Sequence, residues 1–192
     1  MSKEEVVEIL NENKIGVLLT DTLYGVVSRA LSKKSVARIY RLRKRNHKKP
    51  MIVLISSMGD LDTFGVKIDE TTRKVLREIW PGKVSVILDC PGKKFEYLHR
   101  GTYAIAFRVP AIPSLRQLLK KTGPLVAPSA NPEGLPSAQN IFEAKRYFGD
   151  AVDFYYGRGK SNASASTLLA YEAGRWIIKR QGSCLPEFLR HM

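Results

Sequence analysis

The 192-residue sequence is poor in the residues that build disulfides or metal sites: it has 2 cysteines and 3 histidines. Cys90 and Cys184 lie far apart with no C-x-x-C pattern, and His47, His99 and His191 are scattered, so neither a disulfide framework nor a zinc site is expected. Two buried thiols are the simpler expectation. No apolar run approaches the roughly 18 residues of a membrane span, and Met1-Ser2-Lys3-Glu4-Glu5 does not resemble a signal peptide, so a cytoplasmic protein is expected. Internal repeats and low-complexity linkers are absent. Acid is missing from one long stretch: between Asp21 and Asp60 there are ten Lys or Arg and no Asp or Glu.

The net charge of +14 follows from that imbalance. Charge alone fits a solubilising surface as well as it fits a nucleic-acid partner. Its clustering around Arg43-Lys44-Arg45-Asn46-His47-Lys48-Lys49-Pro50, with Lys120-Lys121, Lys145-Arg146 and Lys179-Arg180, points to phosphate as ligand, a polynucleotide as partner, or both. At 44% hydrophobic residues the chain can bury a sizeable core, and residues 1–192 are expected to form one domain.

In chain order, Ser2-Lys3-Glu4-Glu5 is a capping-box pattern opening a helix that ends near Asn13. Ile15 to Thr20 reads as a strand. After Thr20-Asp21-Thr22 and Leu23-Tyr24-Gly25, a helix-like segment leads to the cationic loop, with Val36, Ile39 and Tyr40 on one face, and Met51 to Ser56 reads as a buried strand. Helices are expected at Asp69 to Trp80, Ile112 to Thr122 and Ile141 to Phe148. Strands are expected at Val84 to Leu88, Tyr103 to Val109, Leu125 to Ala127 and Val152 to Tyr156, with a closing hairpin of Ser166 to Tyr171 and Arg175 to Lys179. Roughly seven strands alternating with about five helices make an α/β protein with a mixed, twisted sheet.

Three loops follow strands: Thr20-Asp21-Thr22, Arg108-Val109-Pro110 and Pro128-Ser129-Ala130-Asn131. Open α/β sheets bind ligands outside strand carboxyl ends, so these are candidates for one shared site. They offer hydroxyls (Thr20, Thr22, Ser129, Ser137, Ser166), an amide (Asn131) and fixed cations (Arg43, Arg45, Lys49, Arg108, Arg180). Such groups suit chemistry dominated by positioning and by neutralising phosphate oxygens. Ser129 lacks a G-x-S-x-G setting, and paired carboxylates are absent from these loops. Gly157-Arg158-Gly159-Lys160-Ser161 imitates the end of a P-loop, but Phe154 stands where the first glycine belongs. Each candidate also has a plainer reading. Asp21 and Thr22 suit a turn or cap, Tyr24 a core, Ser129 and Asn131 a turn, and Arg43 and Arg45 the solvated end of a helix.

Taken in order, Thr20-Asp21-Thr22-Leu23-Tyr24-Gly25, Arg43-x-Arg45-x-x-x-Lys49-Pro50, Trp80-Pro81-Gly82, Arg108-Val109-Pro110, Ser129-Ala130-Asn131-x-x-Gly134, Ser166-Thr167 and Arg180-x-Gly182 resemble the YrdC-like L-threonylcarbamoyladenylate synthases. The resemblance runs from about Ile15 to Gly182, and the length resembles the single-domain form of that family. It implies a YrdC/RibB-like mixed α/β sheet with a deep, basic concave face. It also implies an enzyme that joins ATP, L-threonine and bicarbonate into threonylcarbamoyl-AMP and pyrophosphate, for modification of the adenosine beside the tRNA anticodon.

By position in the motifs, Arg43, Arg45 and Lys49 would act on the triphosphate. Ser129, Asn131, Ser137 and Arg180 would serve the nucleotide, Asn131 by bracing its loop. Thr22, Tyr24, Arg108 and Ser166 would serve threonine, Arg108 by pairing its carboxylate. Mg2+ would arrive on ATP, with no metal site on the protein, and partners would be the threonylcarbamoyl-transfer proteins and tRNA. The chain departs from the family pattern at Leu19, Arg43, Asn46, Pro132-Glu133 and Gln181, where Pro, Lys, Pro, Leu-Ser and Pro are usual. Two other readings fit the same residues: a non-catalytic module binding double-stranded RNA or tRNA, and a paralogue acting on another nucleotide-linked acyl group.

Overall fold

The computed structural model describes residues 1–189; His191 lies outside the described residues. Among them are six α-helices and nine strands. Helix α1 (Lys3–Asn11) opens with the expected capping box, Ser2 and Glu5 each accepting the other's backbone N–H. Such a cap is worth about 1 kcal/mol. Strands β1 (Gly16–Leu19) and β2 (Tyr24–Arg29) then form an antiparallel hairpin, with Leu19 opposite Tyr24. This corrects the sequence reading, which passed from Gly25 straight into a helix-like segment. Helix α2 (Lys33–Leu42), capped by Ser32, begins only after β2, and Arg43 is its C-cap.

The remaining elements follow the expected order: β3 (Ile52–Leu54), α3 (Glu70–Ile79), β4 (Val84–Asp89), a short α4 (Glu96–His99) that the sequence did not announce, β5 (Ala104–Arg108), α5 (Pro113–Thr122), β6 (Leu125–Val126), α6 (Ile141–Phe148), β7 (Phe154–Tyr156), β8 (Thr167–Glu172) and β9 (Arg175–Arg180). Asp69 caps α3 by accepting the Thr72 N–H at 2.6 Å, and Asn140 caps α6 by accepting the Glu143 N–H at 2.9 Å.

The strands form one mixed sheet in the order β7-β1-β2-β6-β3-β5-β4-β8-β9. Successive side chains alternate between its faces. Val17, Val26, Val53, Val126, Val86 and Phe107 bury one face in the larger core cluster with Val36 and Ile39 of α2, Leu76 of α3 and Phe148 of α6. Their neighbours Leu18, Val27, Leu54 and Leu125 pack on the other face against Val6 and Leu10 of α1 and Leu115, Leu118 and Leu119 of α5. Each fully buried aliphatic side chain contributes about 2 kcal/mol. The two helices α1 and α5 cover only part of that second face, and the rest of it forms the floor of the cavity described below.

Cys90 is buried but Cys184 is exposed, against the expectation of two buried thiols. Among the described residues no helix is long and apolar enough to cross a membrane.

Candidate active site

A cavity of about 590 Å³ opens on the uncovered sheet face. Gly25, Ile52, Ile87, Ala104, Ala106, Ala127 and Leu168 line it, each on the face opposite its core-facing neighbour. Small side chains at the central positions leave the hollow. At Gly25 the backbone of the segment that pairs with β2 comes close: a Cβ would sit 3.3 Å from the Pro128 carbonyl oxygen, a tight contact. Around this apolar floor stand Thr20, Thr22, Tyr24, Arg43, Arg45, Lys49, Thr102, Arg108, Ser129, Ser137, Ser166 and Arg180, and the lining contains no Asp or Glu.

The three candidate loops therefore meet, but not at one set of strand ends. β1 and β6 run in the same sense and β5 opposite to them, as the alternating pairings through β2 and β3 require. What unites them is a shared face: Arg108 extends across it to place one terminal nitrogen 3.3 Å from Thr22 Oγ1 and 2.7 Å from Asp21 Oδ1.

Of the residues the sequence proposed, Thr22, Tyr24, Arg43, Arg45, Lys49, Arg108, Ser129, Ser137, Ser166 and Arg180 all line the cavity. Asn131 stands behind the lining. Its amide nitrogen donates to the carbonyls of Pro132 at 2.9 Å and Leu135 at 2.7 Å, so it braces the loop. Arg43 is buried and points into the same loop: Nε donates to the Asn131 carbonyl at 2.9 Å, and a terminal nitrogen donates to Ser129 Oγ at 3.2 Å and Asn131 Oδ1 at 3.3 Å. Its other terminal nitrogen has no hydrogen-bond partner among the described residues.

Arg45 anchors to the Pro50 carbonyl at 2.8 Å, and Lys49 pairs with Glu133. Ser166 bonds Ser85 Oγ at 2.9 Å, and Arg180 donates to the Ser166 carbonyl at 2.9 Å. Ser85 is fully buried on β4, and sequence reasoning passed over it because a lone Ser within an apolar strand carries no local signal. Thr102 was also missed. The alternation of Ala104, Ala106 and Arg108 on one face of β5 could have located the floor.

The cations feel one another. Burial, reinforced by Arg45, brings Arg43 down to about 10. Burial also lowers Arg180, again with Arg45 adding to the effect. Arg108 is lowered by burial and by Arg180, while Asp21 opposes the shift. A lining that gathers several guanidiniums and no acid can accommodate an anion. Tyr24, whose phenol burial pushes up, donates at 2.8 Å to the Gly159 carbonyl, and Ser161 Oγ donates at 2.6 Å to the Thr22 carbonyl. The glycine-rich loop that imitates a P-loop is thereby tied to the β1–β2 turn.

A family model described as telomere recombination, covering Sua5, YciO and YrdC, matches residues 8–182. The chain is 31% identical over 183 residues to threonylcarbamoyl-AMP synthase of Hahella chejuensis, covering 93% of this chain and 97% of that one. It is 31% identical over 131 residues to the threonylcarbamoyl-AMP synthase of Bacillus subtilis, covering 67% of this chain and 38% of that longer protein. The fold matches that of P. abyssi Sua5 in complex with L-threonine with a TM-score of 0.90 at 23% identity, over 98% of this chain and 56% of that one. On the family match across nearly its whole length and the Hahella likeness, the chain belongs to the Sua5/YciO/YrdC family.

Proposed function

We propose that the protein is a threonylcarbamoyl-AMP synthase whose active site is the sheet-face cavity. The observation that carries this reading is the gathering of Arg43, Arg45, Lys49, Arg108 and Arg180 around one apolar floor whose lining holds hydroxyls and no acid. The reaction brings three anions together. The threonine amine and bicarbonate form a carbamate with loss of water, and a carbamate oxygen attacks the α-phosphorus of ATP. The bond to the β-phosphate breaks, leaving threonylcarbamoyl-AMP and pyrophosphate.

Few covalent tasks fall to the protein. The main requirement is to offset the mutual repulsion of carboxylate, carbamate and triphosphate, and fixed guanidiniums in a partly dry cavity do so without reorganising. Arg45 and Lys49 are assigned to the triphosphate, Arg fork and Lys point charge acting together. Arg108 is assigned to the threonine carboxylate, with Thr22, Tyr24 and Ser166 around it. Ser129, Ser137 and Arg180 are assigned to the nucleotide, and Arg43 and Asn131 hold the Ser129 loop in place. The lining supplies no carboxylate for a divalent cation, so Mg2+ enters as part of the nucleotide substrate and is assigned no protein site. The product's mixed anhydride then serves transfer proteins acting on tRNA in the cytoplasm.

A drop-out assay tests the reading. Pyrophosphate release is expected only when ATP, L-threonine and bicarbonate are all present, and Arg45→Ala is expected to abolish it. Release indifferent to threonine would overturn the assignment. Steeply salt-dependent RNA binding that survives Arg45→Ala and Thr22→Ala, without pyrophosphate release, would favour a binding module instead.

A further inference from the structure

The loop from Arg43 to Lys49 carries five Lys or Arg in seven residues, and its cations repel one another. Among the described residues a single acid reaches it. Glu133 divides its carboxylate between two points of the loop: one oxygen accepts the Asn46 backbone N–H, and the other accepts from the Lys49 ammonium. The Glu133 backbone N–H in turn donates to the Arg43 carbonyl at 2.7 Å. Two residues earlier, Asn131 receives the Arg43 guanidinium through its own carbonyl and side chain. The Asn131–Glu133 segment thus grips the loop at its start, middle and end. Between the first two of these points Lys44 takes a left-handed φ of 49° at the end of α2, where its N–H donates to the Arg41 carbonyl and the Arg45 N–H to the Tyr40 carbonyl, so the helix terminus itself launches the loop.

We propose that Glu133 is a positioning residue for phosphate binding: it holds the cationic loop so that Arg45 and Lys49 face the cavity, while itself standing outside the lining. This rests on the synthase reading with ATP as substrate. The two attachments contribute unequally. Lys49 and Glu133 are 56% and 25% exposed as side chains, and an ion pair so exposed to solvent adds little by itself. The bond to the Asn46 amide is different, because it fixes backbone. When triphosphate arrives, Lys49 exchanges its carboxylate partner for phosphate, and the Asn46 tie keeps the loop in register.

The test compares the full-length wild type with Glu133→Ala and Glu133→Gln. ATP and L-threonine affinities are read by calorimetry, and exchange of the backbone amides from Lys44 to Lys49 by NMR. For Glu133→Ala, ATP binding is expected to weaken about tenfold, the size of one lost hydrogen bond to a charged group. Threonine binding should stay unchanged and the Asn46 amide should exchange faster. Glu133→Gln should fall between, since its amide oxygen still accepts the Asn46 N–H; if the alanine variant does not fold, the glutamine variant decides on the same readouts. ATP affinity equal to or tighter than wild type, or equal losses for both ligands, would overturn the proposal and leave the synthase reading intact. A wild type that binds no ATP would instead remove the synthase reading on which the proposal stands.

Discussion

Asp21 and Arg108 form a buried ion pair at 2.7 Å, with side chains 1% and 3% exposed. Asp21 Oδ2 also accepts the Ala111 N–H at 2.9 Å, so one carboxylate fixes both the guanidinium and the turn that follows β5. One edge of Arg108 is committed to this pair and to Thr22, and its Nε is buried without a partner among the described residues. Asp21 therefore sets the angle at which Arg108 meets the cavity.

Asp21→Asn keeps an acceptor for Ala111 but leaves the Arg108 charge uncompensated in the interior. The expected loss is about 3–5 kcal/mol in urea unfolding. The double variant Asp21→Asn/Arg108→Met is expected to recover much of that stability without recovering threonine binding, because it removes the stranded charge and the ligand's partner together. A single variant as stable as the wild type would contradict the account.

Gly182 lies against the chain at Ser166. A Cβ there would sit 2.1 Å from the Ala165 carbonyl oxygen and 2.4 Å from backbone atoms of Ser166 and Thr167. Those atoms cannot swing aside as a side chain would. Gly182→Ala is expected to cost about 1–3 kcal/mol and to shift Arg180 off Ser166, raising KM for both ATP and threonine. Gln181→Ala, next to it on the exposed side, should stay within about 0.5 kcal/mol of wild type.

The Glu133 carboxyl is held below the usual carboxylate range by Lys49 and the Asn46 N–H. Because the folded value is the lower one, the tie is fully present above the ordinary value of 4.5 and is lost only as pH falls through the folded value. The Asn46 amide resonance should therefore show a movement below about 4.5 as the carboxylate is protonated. Glu133→Gln should erase that movement, and its persistence in that variant would contradict the arrangement.

Of the two free cysteines, the exposed Cys184 is expected to react rapidly with a thiol reagent in the native protein. Cys90 is 0% exposed, with its thiol pushed up by burial, and should react only in denaturant. Two rapid equivalents without denaturant would refute the burial of Cys90.

Much of this arrangement was legible because it is local. Ser2 announces a helix start through its capping box, and the bounds of α6 agree with those read from the sequence. Tyr24–Arg29 was not legible as a strand, since five of its six residues are buried and no polar alternation marks two packed faces. The turn joining it to β1 lacks the Asn-Gly or Asp-Gly signal of tight hairpins. Loop motifs identified nearly all the cavity's polar residues, yet the rule that ligands sit beyond strand carboxyl ends did not foresee that these loops meet across a sheet face and not at one set of strand ends. That rule belongs to parallel sheets, and this sheet is mixed. The Glu133–Lys49 contact joins residues 84 positions apart, a distance over which no short-range pattern speaks.

The crowding of Arg43, Arg45, Arg108 and Arg180 around one cavity has a practical consequence at the bench. An unliganded cavity holds unbalanced positive charge, so simple polyanions such as phosphate, pyrophosphate or sulfate should raise the melting temperature where chloride does little. Thermal-shift comparisons of variants therefore need a common buffer anion, since a substitution that removes an arginine from this ring relieves strain in one medium and forfeits ligand stabilisation in another.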